Sequence, residues 1–561
     1  EDPLERFDRP HNATMSRLRT RYFCVLLSAF CLLPSAFGSD EYRAYWVDSF
    51  HTPLGTHSDI DRVIEVAVQS HANALFVEVR RRGDSWYLDS KEPLTEVDGV
   101  GEPDASGRWT FDPFRYLIEQ AHGHAIQVHA FVIVGAVFRG DPLTSIPKDP
   151  KHVFLEHVWD AANNRPYSGS QQWATRSIPR NAKGTSYAGQ RHSEDWYIDL
   201  GHPDAATYTI DVLLYLINKY DVDGIHLDRV RYPEAPMDRG GTNVGYNEVS
   251  VARFKARFGD QAKYDADGYP GSNDPLWNQW RRDQVTSFVR RLYLHASAMK
   301  PSIVVSAALV AWANGPKASG GFDQTDAYNH VFQDWNGWLR EGIIDVAIPM
   351  LYKREHVARE RAQFDDWLSF TTETAHDNGR FAIAGVGAYM NGIEGTLRQG
   401  RRARAAGSDG ILMFAVGDTA PWTTVANSTN AAVKRNPYSV AAPGKPTPKR
   451  PNEDFSAAVS TGRNATGKLG FEMGRRPAIF SLTTSPPAKN ASATGSVMGY
   501  THRDGAMITI ESTDTRRSTT TDGSGFFGFL NLPPGDYRVE GCAVHIAAGR
   551  VSRVDLPCSN Y

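Results

Sequence analysis

Between residues 41 and 420, eight short apolar runs recur with longer segments between them. The runs are 44–50, 74–80, 126–134, 223–228, 303–310, 344–352, 381–389 and 410–416. They are rich in Val, Ile, Leu and Phe and lack the strict alternation of a sheet with one wet face, so they read as parallel strands buried on both sides. The intervening segments carry helical patterns at 59–71, with Ser58 or Asp59 as its cap, at 112–124 and at 204–220. Eight strand–helix repeats predict an α/β fold, a (β/α)8 TIM barrel with long loops. The rival is a doubly wound open sheet, but no GxGxxG or Walker motif follows an early strand. The longest insertion, 135–200, holds Trp159, Trp173, Trp196 and Tyr197 with little periodicity, and a second spans 234–275.

The rest of the chain divides by composition. From Met15, three arginines precede an apolar stretch and a small-residue site at Ala36–Gly38, the pattern of a secretory signal peptide over 15–38. Residues 1–14 then read as an upstream extension, and the protein as secreted or periplasmic. With Cys24 and Cys31 in the leader, Cys542 and Cys558 remain, a pair that an oxidising compartment permits to bridge. The barrel is expected to occupy 41–437. Four prolines between 441 and 451 open a polar linker over 438–472. Over 473–561 short alternating strands and turns at Asp504-Gly505, Asp522-Gly523 and Pro534-Gly535 predict a small antiparallel β-sandwich. A formal net charge of -3 lacks the basic footprint of a nucleic-acid partner. No apolar run approaches the ~20 residues of a membrane span.

Barrel enzymes carry their reactive groups at the C-terminal ends of the strands. There the sequence places Asp48 and His51, then Glu78, Arg80 and Asp84, then Asp228, Arg229, Arg231 and Tyr232, then Trp312, Tyr352, Glu355 and Tyr389, with His129 inside the third strand. Asp228 ends an apolar strand and is the principal catalytic candidate. The alternative for it is an ion pair with Arg229 or Arg231. Glu78 and Arg80 share parity, so both are expected to face inward, in a substrate role or as a buried ion pair. His129 reads either as a substrate contact or as a core histidine. Paired carboxylates suit glycoside hydrolysis, in which one donates a proton and the other acts as nucleophile or activates water. Histidines without metal-ligand spacing point to no metal and no cofactor. The 13 Trp, 23 Tyr and 26 Phe mostly supply core. Trp86, Trp173, Trp196 and Trp312 are the ones expected near the mouth as sugar platforms.

Several pieces resemble the family 10 glycosyl-hydrolase-like proteins, bacterial (β/α)8 glycosidases. They include RAYWVDSF (43–50), VEVRRRGDSWYLDSKEP (77–93), DLGHPDA (199–205), YDVDGIHLDRVRYP (220–233), IDVAIPMLY (344–352) and GSDGILMFAV (407–416). The resemblance implies cleavage of glycosidic bonds, with amino-sugar polymers such as peptidoglycan strands as a substrate class. It maps the strand-4 carboxylate to Asp228 and the strand-2 polar set to Glu78, Arg80 and Asp84. The chain departs from the family pattern in having Arg229 where a second acid is common, Phe131 and Val132 after Ala130, and Met350 in place of a Gln. Candidates for the second carboxylate are Glu355, Glu78 and Glu234, in that order. TDGSGFFGFLNLPPGDYRVE (521–540) resembles carboxypeptidase-regulatory-like sandwich modules, which act as spacers or adhesion domains.

The expected function is therefore an exported glycoside hydrolase acting on a polysaccharide or oligosaccharide. Catalysis would rest on Asp228, Glu355 and Glu78, and substrate binding on Arg80, Asp84, His129, Arg231, Tyr232, Trp312, Tyr352 and Tyr389. The rival from another class is a non-catalytic glycan-binding barrel. A deacetylase or esterase would want a metal triad or a GxSxG elbow, and the sequence shows neither.

Overall fold

The computed structural model describes residues 40–49, 52–178, 186–187, 195–235, 237–238, 240–391, 393–417, 453–462 and 478–557. All eight apolar runs form strands: β1 (Tyr42–Val47), β2 (Ala74–Arg80), β3 (Gln127–Ile133), β4 (Gly224–Asp228), β5 (Val304–Leu309), β6 (Val346–Leu351), β7 (Phe381–Gly387) and β8 (Gly410–Phe414). Each is parallel to its neighbours, the order around the ring follows the chain, and β8 pairs back onto β1. The sheet is a closed barrel rather than an open one.

Helices cover the outside of the ring. The first, α1 (His57–Gln69), is capped by Thr56, two to three residues before the expected caps. Thr56 Oγ1 accepts from the Asp59 amide at 3.1 Å, and the Asp59 carboxylate accepts from the Thr56 amide at 3.1 Å. This reciprocal capping box satisfies two end groups at once. In α2 (Pro113–Gly123), Pro113 sits where no amide hydrogen is needed, and Asp112 accepts from the next two free amides. Further helices used below are α3 (Pro203–Lys219), α4 (Glu248–Phe258), α5 (Pro275–Met299), α6 (Trp335–Glu341), α7 (Ala358–Asp377) and α8 (Ile393–Ala405).

Inside the barrel, Tyr42, Trp46, Phe76, Phe131, Ile348 and Leu412 pack with two buried histidines. His129 stacks on Phe76 at 4.3 Å. Gly224 makes room for it, since a Cβ there would lie 2.1 Å from His129 Nδ1. The Trp46 indole donates to His226 Nε2 at 3.0 Å, so the proton of the neutral ring sits on Nδ1, 2.9 Å from Ser306 Oγ. Burial holds His129 down to about 4 and His226 well below the usual histidine range. Both are neutral core residues.

The 135–200 insertion builds its own small core. Ala136–Arg139 pairs antiparallel with Asp195–Tyr197, and Phe138, Phe154, Trp159, Trp173 and Trp196 pack beneath.

Helix α9 (Glu453–Thr461) lies within the stretch expected as linker. It buries Phe455 edge-on against Tyr45 of β1. Beyond it, seven strands follow: β9 (Gly495–Tyr500), β10 (Met507–Glu511), β11 (Arg516–Thr520), β12 (Phe526–Leu532), β13 (Gly535–Val539), β14 (Cys542–Ile546) and β15 (Val551–Arg553). They form two sheets, β12-β9-β15 and β11-β10-β13-β14, around Val497, Ile508, Phe527, Phe529, Val539 and Ile546. One pair departs from the expected antiparallel pattern, since β9 and β15 run parallel. Cys542 is disulfide-bonded. The leader, the upstream extension, Cys24, Cys31 and Cys558 lie outside the described residues.

Candidate active site

Three carboxylates stand at the C-terminal ends of β1, β2 and β4. Asp48 follows β1 and is buried, Glu78 on β2 is fully buried, and Asp228 ends β4 half-buried. Glu78 Oε2 accepts from the amide of Ser49 at 2.7 Å and from its hydroxyl at 2.6 Å, and Oε1 has no hydrogen-bond partner among the described residues. Burial, opposed by the Ser49 bonds and assisted by the charge of Asp48, pushes Glu78 up to about 7. Tyr352, just past β6, lies edge-on to Trp46 at 6.1 Å and Tyr389 at 6.0 Å. Burial, then the charges of Tyr389, Asp228 and Asp48, drive its phenol well above the usual range. The phenol thus lies within electrostatic reach of both Asp228 and Asp48.

The ion pair between Asp228 and Arg229 expected as an alternative is not the one formed. Asp228 Oδ1 accepts the Arg229 amide at 2.7 Å, while the Arg229 side chain turns to Asp195 and to the Tyr197 hydroxyl at 3.1 Å. Arg229 has a φ of 50°, and this left-handed residue swings its side chain away from the strand end. Asp195 also accepts from Arg82 Nε at 2.7 Å. The insertion thus supplies one acid that restrains two rim arginines.

Of the remaining candidates, Tyr352, Tyr389, Arg231 and Trp312 stand at the mouth, with the Arg231 guanidinium 5.1 Å from the Trp312 ring centroid. Asp84 shapes the turn after β2 by accepting from the Arg82 amide at 3.0 Å. Five candidates lie elsewhere. The β2–β3 register shifts between Glu78 and Arg80, so Arg80 loses the inward parity of Glu78. Its guanidinium is sealed against Glu92, with both nitrogen–oxygen distances 2.7 Å, and the Ile133 carbonyl. His129 is the core histidine described above. Tyr232 is buried and donates to Asp199 at 3.0 Å beneath the loops. Glu355 turns outward to Arg402 of α8 at 3.3 Å, and its backbone amide donates to Asn391. Burial raises its carboxyl, with Arg402 opposing. Glu234 is exposed in the loop after β4.

Three of the four expected sugar platforms are also core. Trp86, Trp173 and Trp196 are buried. Trp173 stacks on His157 at 3.5 Å, and Trp196 donates to the Gly140 carbonyl at 3.1 Å. Only Trp312 stays half-buried. Asp48 stands at a strand end that the sequence shows, but its effect on Glu78 depends on the fold. Asp195 and Tyr197 lie in an insertion without periodicity and carried no local signal. Among the described residues, no group of three or more His, Cys, Asp or Glu could hold a metal ion. No helix there is long and apolar enough to cross a membrane.

A closed parallel barrel with carboxylates and aromatic side chains on its C-terminal rim defines the class: a (β/α)8 barrel with a polar and aromatic mouth. The chain belongs to the glycosyl hydrolase-like 10 family, whose model matches residues 41–378. Glycosyl hydrolase YngK of Bacillus subtilis is 22% identical over 287 residues, covering 50% of this chain and 46% of that protein. Glycosyl hydrolase DigH of Escherichia coli K12 is 21% identical over 333 residues, covering 57% and 63%. The chain thus spans less than two thirds of the length of the curated relatives it matches. The solved glycoside hydrolase domain of PgaB (BpsB) from Bordetella bronchiseptica aligns with a TM-score of 0.45 and 14% identity, over 72% of this chain and 100% of that one.

Proposed function

We propose that the protein is an exported glycoside hydrolase that cleaves O-glycosidic bonds in an amino-sugar polymer such as a bacterial cell-wall glycan. The observation that carries this reading is the set of Asp48, Glu78 and Asp228 at the strand ends, with Tyr352 within electrostatic reach of Asp48 and Asp228. Glycoside cleavage needs one carboxyl group that keeps its proton near neutral pH and a second that is ionised. Glu78, pushed up to about 7, is the proton donor. Asp228, half-buried at the rim, acts on the anomeric carbon or on the water that attacks it. Tyr352, Tyr389 and Trp312 wall the sugar. The leader pattern at 15–38 supports export, and the C-terminal sheets serve as a non-catalytic spacer or adhesion module of the carboxypeptidase-regulatory-like kind.

The test is release of new reducing ends from peptide-free cell-wall strands and chitin oligosaccharides. Asp228→Asn is expected to lose roughly 10³-fold in kcat while keeping the fold, since positioned proton transfer and nucleophilic groups contribute effects of that order. Near wild-type turnover by this variant would refute its role. A second reading, a non-catalytic glycan-binding barrel, is favoured by one observation: Arg229 is held by Asp195 where a second acid is common in the family. It predicts wild-type glycan binding with no product.

A further inference from the structure

The rim arginines differ in how they are neutralised. Arg82 and Arg229 share Asp195, and Arg80 is closed off by Glu92. Arg231 has no carboxylate within ion-pair distance among the described residues. It lies three residues past β4, half-buried, with its guanidinium over Trp312. One Nη1 hydrogen goes to the Tyr232 carbonyl at 3.2 Å, and Nε is buried without a partner among the described residues. A guanidinium carries five N–H groups, so most of its donors remain uncommitted.

The aromatic half of the pair is fixed in place. Trp312 lies three residues past β5, which neighbours β4 in the ring. Its carbonyl accepts from Trp367 Nε1 of α7 at 3.1 Å, and the carbonyl of Ala311 accepts from Lys353 Nζ at 2.9 Å. Ala313 has a φ of 46°, a left-handed backbone that a non-glycine residue keeps only when its surroundings hold it. A half-buried indole and a cation with no acid among the described residues are thus held side by side at the mouth.

We propose that Arg231 and Trp312 form a subsite that selects sugar units bearing a carboxylate. Trp312 supplies an apolar wall for the ring, and Arg231 donates N–H groups to the carboxylate substituent, whether a lactyl ether or a uronic acid. The planar donor fork matches a carboxylate, and its position is set before the ligand arrives. This inference rests on reading the mouth as a glycan site and adds the charge of the glycan.

The experiment is calorimetric binding to full-length Asp228→Asn protein, in which ligands are not consumed. The ligands are a lactyl-bearing amino-sugar tetrasaccharide, a glucuronate-containing tetrasaccharide, the methyl ester of each, and neutral chitotetraose. At least one acid is expected to bind about fivefold to tenfold more tightly than its ester. The identity of that acid separates the two sources. Adding Arg231→Gln should bring the acid-to-ester ratio to about one, and Arg231→Lys should restore part of it. Equal binding of acids and esters by the parent would overturn the proposal, as would a ratio unchanged by Arg231→Gln. A uniform loss for all ligands would also overturn it, because that is the mark of a merely structural arginine. If wild type hydrolyses chitotetraose without such discrimination, only this subsite falls. If no glycan is bound or cleaved, the reading of the mouth falls with it.

Discussion

Glu78 sets the pH behaviour of the site. Its proton is held by burial and by the nearby Asp48 charge against two hydrogen bonds from Ser49. In its proposed role as proton donor it must be protonated to act, so kcat/KM is expected to fall above about pH 7, roughly tenfold per unit. Glu78→Gln should remove that limb along with most of the activity. The same shift has a consequence for stability. A carboxyl raised in the folded state binds its proton there when the unfolded chain has already released it. Wild type therefore loses stability as pH rises from about 4.5 to about 7 and levels off above that. Measured against Glu78→Gln by denaturant titration, the relative loss across this window should be roughly 3 kcal/mol. A pH-independent difference would show that Glu78 ionises normally. At this scale Asp228 and Glu78 were legible because strand-end position follows from the apolar runs. Glu355 was not, because the direction a loop side chain takes depends on Arg402, a partner 47 residues away.

At the scale of single elements, β2 and its loop show how one register step reassigns a side chain. Counting by twos from Glu78 puts Arg80 inward, but the shift against β3 turns it into the wall. There Glu92 folds back to meet it, and Tyr208 of α3 donates to the same carboxylate at 3.2 Å. Removing one partner of a buried ion pair leaves an uncompensated charge, so Glu92→Gln is expected to cost about 3–5 kcal/mol in thermal or denaturant unfolding. The double change Arg80→Met with Glu92→Leu should recover most of that loss. A cost below about 1 kcal/mol for Glu92→Gln would mean that the pair is solvated. The loop tryptophans teach a similar lesson. Their number suggested platforms, but an insertion of this length needs an apolar core of its own, and Trp173 and Trp196 form it.

At the scale of the whole molecule, the C-terminal sheets are fastened to the back of the barrel. Phe526, Leu530 and Met498 belong to the same apolar cluster as the barrel helices, and β12 approaches α5 so closely that a Cβ on Gly528 would lie 2.3 Å from Leu294 Cδ1. Arg253 of α4 meets Asp504 with both nitrogens, at 2.7 and 2.9 Å. Lys489 reaches Asp345 beneath β6 at 2.9 Å, beside Arg380 at 2.8 Å. The barrel and the sheets are therefore expected to unfold in one calorimetric transition, and ending the chain after residue 477 should lower Tm by several degrees. Two separate transitions, or an unchanged Tm, would show the sheets to be an independent appendage.

The sequence alone determined that eight buried parallel strands would alternate with helices, that small sheets would follow, and that Asp228 and Glu78 would stand at strand ends. These properties are written in local apolar periodicity and turn chemistry, which a short window of chain contains. Tertiary structure decided that Arg80 and His129 are walled in, that Asp195 restrains Arg82 and Arg229, that the charge of Asp48 reaches Glu78, and that Arg231 lies against Trp312 with no carboxylate in ion-pair distance among the described residues. Each of these depends on which distant side chain arrives within a few ångströms, and burial, charge pairing and proton affinity are set by those neighbours.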